Sequence, residues 1–245
     1  MEAELQLFTA AIAFAMTELG EEEWIGQLLS LGFFLLVGIA VYAIALRRYG
    51  HWPALAAMLS VLSSRLGVQL SISVMPDALS LLLYTFGLVA FLAYAERGKI
   101  GGLVLAGVFT ALAAMVKAPS LQLGIAQFLL LCFHSPRRLS SPWPWVVWLL
   151  VLVGVGAQLS AANAVYLESG LTFGILSGGD VKFPGLEHLT TPGLYLDLIG
   201  LSLRYGLGVL GALSLVYLVA RGRLRALELA PVSYTHLTLP TTPYV

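Results

Sequence analysis

Apolar runs of nearly membrane-spanning length follow one another along the chain, separated by short polar, Pro-bearing or Gly-bearing breaks. A spanning helix needs about 20 mainly apolar residues, and the stretches 25–46, 53–74, 78–95, 102–116, 118–133, 144–162 and 205–220 come near that length. The pattern predicts an all-α, polytopic transmembrane helix bundle of about seven spans. One carboxylate heads such a span: "SISVMPDALSLLLYTFGLVAFLAYAERGK", residues 71–99, places Asp77 just after a Pro. "M-P-D-A" reads as a helix start, where a carboxylate accepts an orphan backbone N–H and complements the helix dipole. Lys117 has the mirror position. It follows "GVFTALAAMV" and precedes Ala118 and Pro119, where a span must end, so its ammonium is expected to cap the last carbonyls or to snorkel.

Composition agrees with the pattern: 59% of residues are hydrophobic and 11% charged, far from a soluble mixture. Formal charge sums to zero, so it names no partner, and no nucleic acid is expected. Charge placement is more informative. If the turn at Arg47 is cytoplasmic, alternation puts Arg47, Arg48, Arg97, Lys99, Arg137, Arg138, Arg221, Arg223 and Arg225 inside, nine of thirteen basic residues. Arg65, Lys117, Lys182 and Arg204 fall on the opposite face with eleven of thirteen acids, which leaves only Glu96 and Glu228 inside. This assignment needs 53–74 to cross once despite Arg65, and a helix broken near Ser63–Arg65 achieves that. Trp24, Trp52, Trp143, Trp145 and Trp148 fall at or near span ends, where a ring buries its body and keeps its N–H wet. Cys132 lies within a span and is the lone cysteine, so it forms no intrachain disulfide.

Between spans, "HSPRRLSSPWPW" and "RGKIGG" are cytoplasmic connectors too short for a domain. An outward loop of about 38 residues begins at Asn163, a length that usually signals function. Within it, Thr191 and Pro192 are a helix-start pair. The two ends are expected to be truncated. "VSYTHLTLPT", Val232 to Thr241, resembles the translation of a transposon-end sequencing adaptor, so 232–245 is expected to be an artefact and 1–231 a partial transmembrane domain. At the start, "EAELQLFTAAIAFAMTELGEEEW" has neither a basic region nor a small-residue cleavage site, and reads as an interior segment rather than a signal peptide.

Several chemistries are excluded. No phosphate-cradling G-x-x-x-x-G-K-[ST] occurs, and "GVG" at 154–156 lies inside a span, where small-residue packing between helices explains it. His51, His134 and His188 have no metal-gathering spacing, and no D-x-D pair is present to hold a metal-diphosphate. What remains is a set of ionisable residues at or beyond outer span ends: Glu4, Asp77, Lys117, Lys182 and Arg204.

Three stretches carry a family resemblance. "ELQLFTAAIAFAMTELGEEEWIGQLLSLGFFLLVGIAVYAIALRRYG", "SVMPDALSLLLYTFGLVAFLAYAERGK" with "LAGVFTALAAMVKAPSLQLGIAQFLLL", and "YLESGLTFGILSGGDVKF" resemble, in order, an outward juxtamembrane helix plus span, an M-P-D span with a Lys-Pro-type break, and an outward loop. They are those of the GT-C superfamily membrane glycosyltransferases, related to protein O-mannosyltransferases and lipid A aminoarabinose transferases. The likeness covers nearly all of residues 4–220. It departs at Ala118, which separates Lys117 from Pro119, and at Arg65, where relatives often place Pro.

The resemblance implies a sugar transferase at the periplasmic or extracellular face of the cell's inner membrane, with a polyprenyl-phosphate sugar as donor and a lipid, glycan or protein hydroxyl as acceptor. Lys117, Lys182 and Arg204 would hold the donor phosphate. Glu4 and Asp77 would be supporting carboxylates, the principal catalytic acid being expected upstream of Met1, so that this segment alone is expected to be inactive. No cofactor is implied with certainty; metal dependence varies within the superfamily, and a divalent metal remains compatible although no clear ligand set is offered. The rival reading from another class is a transporter or flippase for a lipid-linked substrate, which favours a midplane polar site in repeated, broken helices.

Overall fold

A computed structural model of the protein describes residues 7–22, 24–169, 191–193, 195–196 and 200. Among these residues there is no strand, and the chain is an all-α bundle. Its helices are α1 (Leu7–Leu19), α2 (Trp24–Tyr49), α3 (His51–Leu62), α4 (Arg65–Ile72), α5 (Asp77–Arg97), α6 (Ile100–Val116), α7 (Leu123–His134) and α8 (Pro142–Ser169). Single 3₁₀ turns, Ala118–Gln122 and Pro136–Ser140, lead into α7 and α8. Prolines mark the starts: Pro53, Pro119, Pro136, Pro142 and Pro144 sit in first turns and Pro76 caps α5, positions whose missing N–H costs nothing.

Three helices are long and apolar enough to cross a membrane by themselves: Trp24–Arg47, Asp77–Arg97 and Pro142–Val165. Shorter apolar helices pack beside them. Gly26 faces Val74, Gly67 faces Phe34 and Gly38 faces Leu62, so α3 and α4 together run antiparallel to the whole of α2. The expected break is present. α3 ends at Leu62, Ser63 N–H closes on Leu59 O (2.8 Å), and Ser64 caps α4 by accepting from Gly67 N–H (3.0 Å). Arg65, assigned to the acid face by alternation, instead opens α4 at the level of Phe34 to Gly38, partway along α2. The juxtamembrane helix is α1, which lies back along the first part of α2 with Phe8 against Phe33 (ring centroids 6.4 Å apart).

α5 is the centre of the bundle: 61% of its apolar stretch is buried, against 28% for α2 and 11% for α8. It pairs antiparallel with α6 along its whole length, from Tyr94 beside Gly102 to Asp77 beside Lys117. Phe91, Leu103, Ala106, Ala113, Leu123, Leu130 and Leu131 form the dry core shared by α5, α6 and α7. Lipid is as apolar as this core, so close packing and hydrogen bonds between helices must hold it rather than burial alone. One such set joins three helices. Gln127 Nε2 donates to Thr110 Oγ1 (2.9 Å), Trp148 Nε1 donates to Gln127 Oε1 (2.9 Å), and Thr110 Oγ1 donates to Ala106 O (2.7 Å). Trp148 thus departs from the anchoring role expected of it: its N–H is spent inside the bundle and its ring stacks on Phe91 at 6.3 Å. Trp24, Trp52, Trp143 and Trp145 are exposed at helix ends, as expected.

Charge separates along the bundle. Arg47, Arg97, Lys99, Arg137 and Arg138 lie at one end with Glu96, while Glu18, Glu21, Glu22, Asp77 and Glu168 lie at the other. The basic end of α5 is closed by the turn that follows α7. Arg138 donates to Tyr94 O and Glu96 O (3.2 Å to the latter), Ser135 Oγ donates to Ala95 O (2.9 Å), and Gly98, left-handed at φ 74°, donates its N–H to Tyr94 O (2.8 Å). A cation there also complements the helix dipole.

Neighbouring glycines separate packing from propensity. A Cβ at Gly102 would stand 3.0 Å from Ala90 O and 3.1 Å from Tyr94 N, backbone atoms with nowhere to go, whereas one at Gly101 meets nothing within 4 Å. Gly102→Ala is expected to destabilise the protein by about 1–3 kcal/mol. Gly101→Ala is expected to be neutral or to stabilise by up to about 1 kcal/mol. Thermal unfolding of the two variants in detergent checks the contrast, and equal effects would refute the close approach of α5 and α6.

Candidate functional site

The acid-bearing ends of α5 and α6 make the site. Asp77 is the first helical residue of α5, behind Pro76. Its carboxylate hydrogen-bonds with Lys117 rather than with the backbone N–H expected from "M-P-D-A", and its charge still complements the N-terminus of the helix. Lys117 terminates α6 in an extended conformation (φ −149°, ψ 109°), two residues ahead of Pro119, and its N–H closes on Ala113 O (2.8 Å). Its ammonium neither caps the α6 carbonyls nor snorkels away. It forms an ion pair and hydrogen bond with Asp77 Oδ1.

Neither charge is fully wet: side-chain exposure is 32% for Lys117 and 16% for Asp77. The cost of breaking such a pair lies between the ~0.2–1 kcal/mol typical of exposed ion pairs and the ~3–5 kcal/mol of buried ones. It is the one ion pair among the described residues. Lys117 is also the one cation among the described residues that faces the acidic end.

A second rung lies one turn deeper. Ser80 Oγ and Ser120 Oγ are 2.8 Å apart, and Ser80 Oγ also reaches Ala113 O at 3.4 Å. All three bonding groups are satisfied when Ser120 donates to Ser80 and Ser80 donates to the carbonyl. Both serines are buried, at 3% and 7% exposure. Ser120 N–H, in turn, donates to Lys117 O (2.9 Å), so the 3₁₀ turn carrying Pro119 is fastened to the first turn of α5 immediately beneath the ion pair. On the same turn, Gln122 Nε2 is buried without an acceptor among the described residues.

Of the residues singled out in the sequence, Asp77 and Lys117 are brought into contact, while Glu4, Lys182 and Arg204 lie outside the described residues. So do His188 and most of the outward loop; Pro192 and Gly193 are helical directly after Thr191, as its start signal expects. Among the described residues no group of three or more His, Cys, Asp or Glu side chains gathers. Ser80 and Ser120 were missed by sequence reasoning. Their signal was present: each stands three residues after one member of the ion pair, a polar side chain inside an apolar run.

Because one hydrogen bond links the two serines, Ser80→Ala and Ser120→Ala are each expected to cost about 0.6–1.5 kcal/mol. The double variant is expected to cost less than the two single effects added together, since either change removes the shared bond. A double-mutant cycle on thermal stability in detergent measures this, and strict additivity would show that the serines do not interact.

No curated protein and no solved structure matches the chain. Among protein families, residues 6–160 match dolichyl-phosphate-mannose-protein mannosyltransferase. The matched stretch runs from the start of α1 through the Asp77–Lys117 pair and into α8, and stops short of the outward loop to which the sequence resemblance extends. Spanning well over half of the 245 residues and the whole of this site, it shows that the chain belongs to that family of membrane glycosyltransferases.

Proposed function

We propose that the protein moves a sugar from a polyprenyl-phosphate donor to an acceptor hydroxyl, at the periplasmic or extracellular face of the cell membrane. The observation that carries this reading is the half-buried Lys117–Asp77 pair at the acid-bearing mouth of the bundle. An ammonium held there by one carboxylate oxygen can exchange that partner for a phosphate oxygen and remain paired itself. The carboxylate it releases is then free to accept a hydrogen bond from the acceptor. Placement at the helix ends, rather than at the middle of broken, repeated helices, supports transfer over transport.

On this reading Lys117 is a phosphate-binding residue, with Lys182 and Arg204 as further cationic contacts. Asp77 and Glu4 are supporting carboxylates rather than the principal general base. The acceptor is a lipid, glycan or protein hydroxyl. The assay uses the protein in native membranes, with a polyprenyl-phosphate sugar.

Lys117→Ala is expected to lower kcat/KM on the order of 10²-fold, the cost of removing one charge-stabilising contact at the leaving phosphate. Lys117→Arg is expected to recover part of it, and Asp77→Asn to give a smaller loss than Lys117→Ala. Expression and thermal stability of each variant are read alongside. A Lys117→Ala enzyme that folds and retains wild-type kcat/KM would remove the proposed role.

A further inference from the structure

The opposite end of the bundle carries a concavity that the transfer reading does not use. It has a volume of about 360 Å³ and is lined by His134, Ser135, Pro136, Arg137 and Arg138, where α7 turns into the second 3₁₀ segment. Arg138 is committed. Its guanidinium serves the carbonyls of Tyr94 and Glu96 and lies 5.2 Å from the Tyr94 ring centroid. Arg137 and His134, by contrast, are exposed. Arg97 and Lys99 flank Gly98, whose added Cβ would stand 2.9 Å from Arg138 Nη1, so two more exposed cations border the same turn.

Against these cations, residues 94–99 and 134–141 offer one acid, Glu96, and no ion pair is formed there among the described residues. The depth is marked independently. Phe133, Trp143 and Trp145, which bracket the concavity in sequence, are 65%, 56% and 50% exposed, the placement of apolar and amphipathic rings that meet acyl chains just below headgroups. An excess of cationic donors at headgroup depth, with apolar rings beside it, suits a phosphate-bearing anion that also has hydrocarbon attached.

We propose that this concavity binds the phosphate of an anionic phospholipid headgroup, with Arg137 as the direct donor and His134, Arg97 and Lys99 completing the positive surround. The lipid would then bear on the turn whose neighbouring residues, Ser135 and Arg138, cap α5.

The test is lipid retention by the full chain in detergent, read by native mass spectrometry after addition of phosphatidylglycerol or of phosphatidylcholine with the same acyl chains. Retention is expected for phosphatidylglycerol over phosphatidylcholine, and Arg137→Ala is expected to weaken it by about fivefold. Arg47→Ala removes one charge at the same end without touching the concavity and is expected to change retention less than twofold. Equal losses in the two variants, or equal retention of the two lipids, would overturn the site in favour of diffuse attraction. A third arm adds inorganic phosphate. If it displaces phosphatidylglycerol at equal concentration, the site is one for free phosphate and the lipid assignment falls; if the lipid persists, the assignment stands. None of these outcomes depends on sugar transfer, so the site and the transfer reading stand or fall separately.

Discussion

Helix α5 is held at both ends by side chains that arrive forty residues later in the chain. Asp77 meets Lys117 and Ser80 meets Ser120 at one end, and Ala95 O meets Ser135 at the other. In water such bonds would be modest additions to a hydrophobic core. Here they carry more of the burden, because an apolar helix surface gains little by leaving lipid for another apolar helix. The pattern of small residues follows from the same constraint: Gly87, Gly102 and Gly107 let α5, α6, α7 and α8 approach until side chains or backbone of a neighbour fill the space a Cβ would take. Polar rungs then set the register of helices whose apolar surfaces would tolerate several.

Most of the helical order was legible in the sequence, because span length, proline position and charge placement are all local. The start of α5 after Pro76, the end of α6 before Pro119 and the break between α3 and α4 follow from backbone rules that hold whatever packs nearby. The partners of polar side chains were not legible in the same way. Asp77 reads locally as a cap and Lys117 as a snorkel, since a short window shows each residue only its own helix. Their meeting depends on α5 and α6 forming an antiparallel hairpin with ends in register, which the turn at Gly98 and the close contact at Gly102 establish. Trp148 went astray for a related reason. Six residues into α8 it looks interfacial, yet a buried Gln127 on α7 supplies an acceptor that outweighs exposure to the headgroup layer.

The two ends of α5 differ in a way that bears on function. At the basic end, Arg138 and Ser135 satisfy backbone carbonyls, bonds that are lost only if the helix terminus itself is disturbed. At the acidic end, the outermost rung joins two side chains and leaves the backbone free, so it can be exchanged without unwinding a turn. The serine rung beneath it attaches the 3₁₀ turn to α5 independently of that ion pair. A rigid foot and a replaceable top contact on one central helix give an ion pair that is stable in the resting bundle and can still be displaced.

That division also explains how Ala118 is accommodated between Lys117 and Pro119. The residue before a proline is steered away from the α region, and inserting one residue ahead of the proline would be expected to redirect the lysine. In the structure the deviation is absorbed at Lys117 itself, which is extended, and a single 3₁₀ turn resumes the chain from Ala118. Ser120 then falls one turn below the ion pair and opposite Ser80, which gives the turn a second point of attachment to α5. The lysine keeps its place at the acidic end because the turn beneath it is anchored to α5 through Ser120 and Ser80.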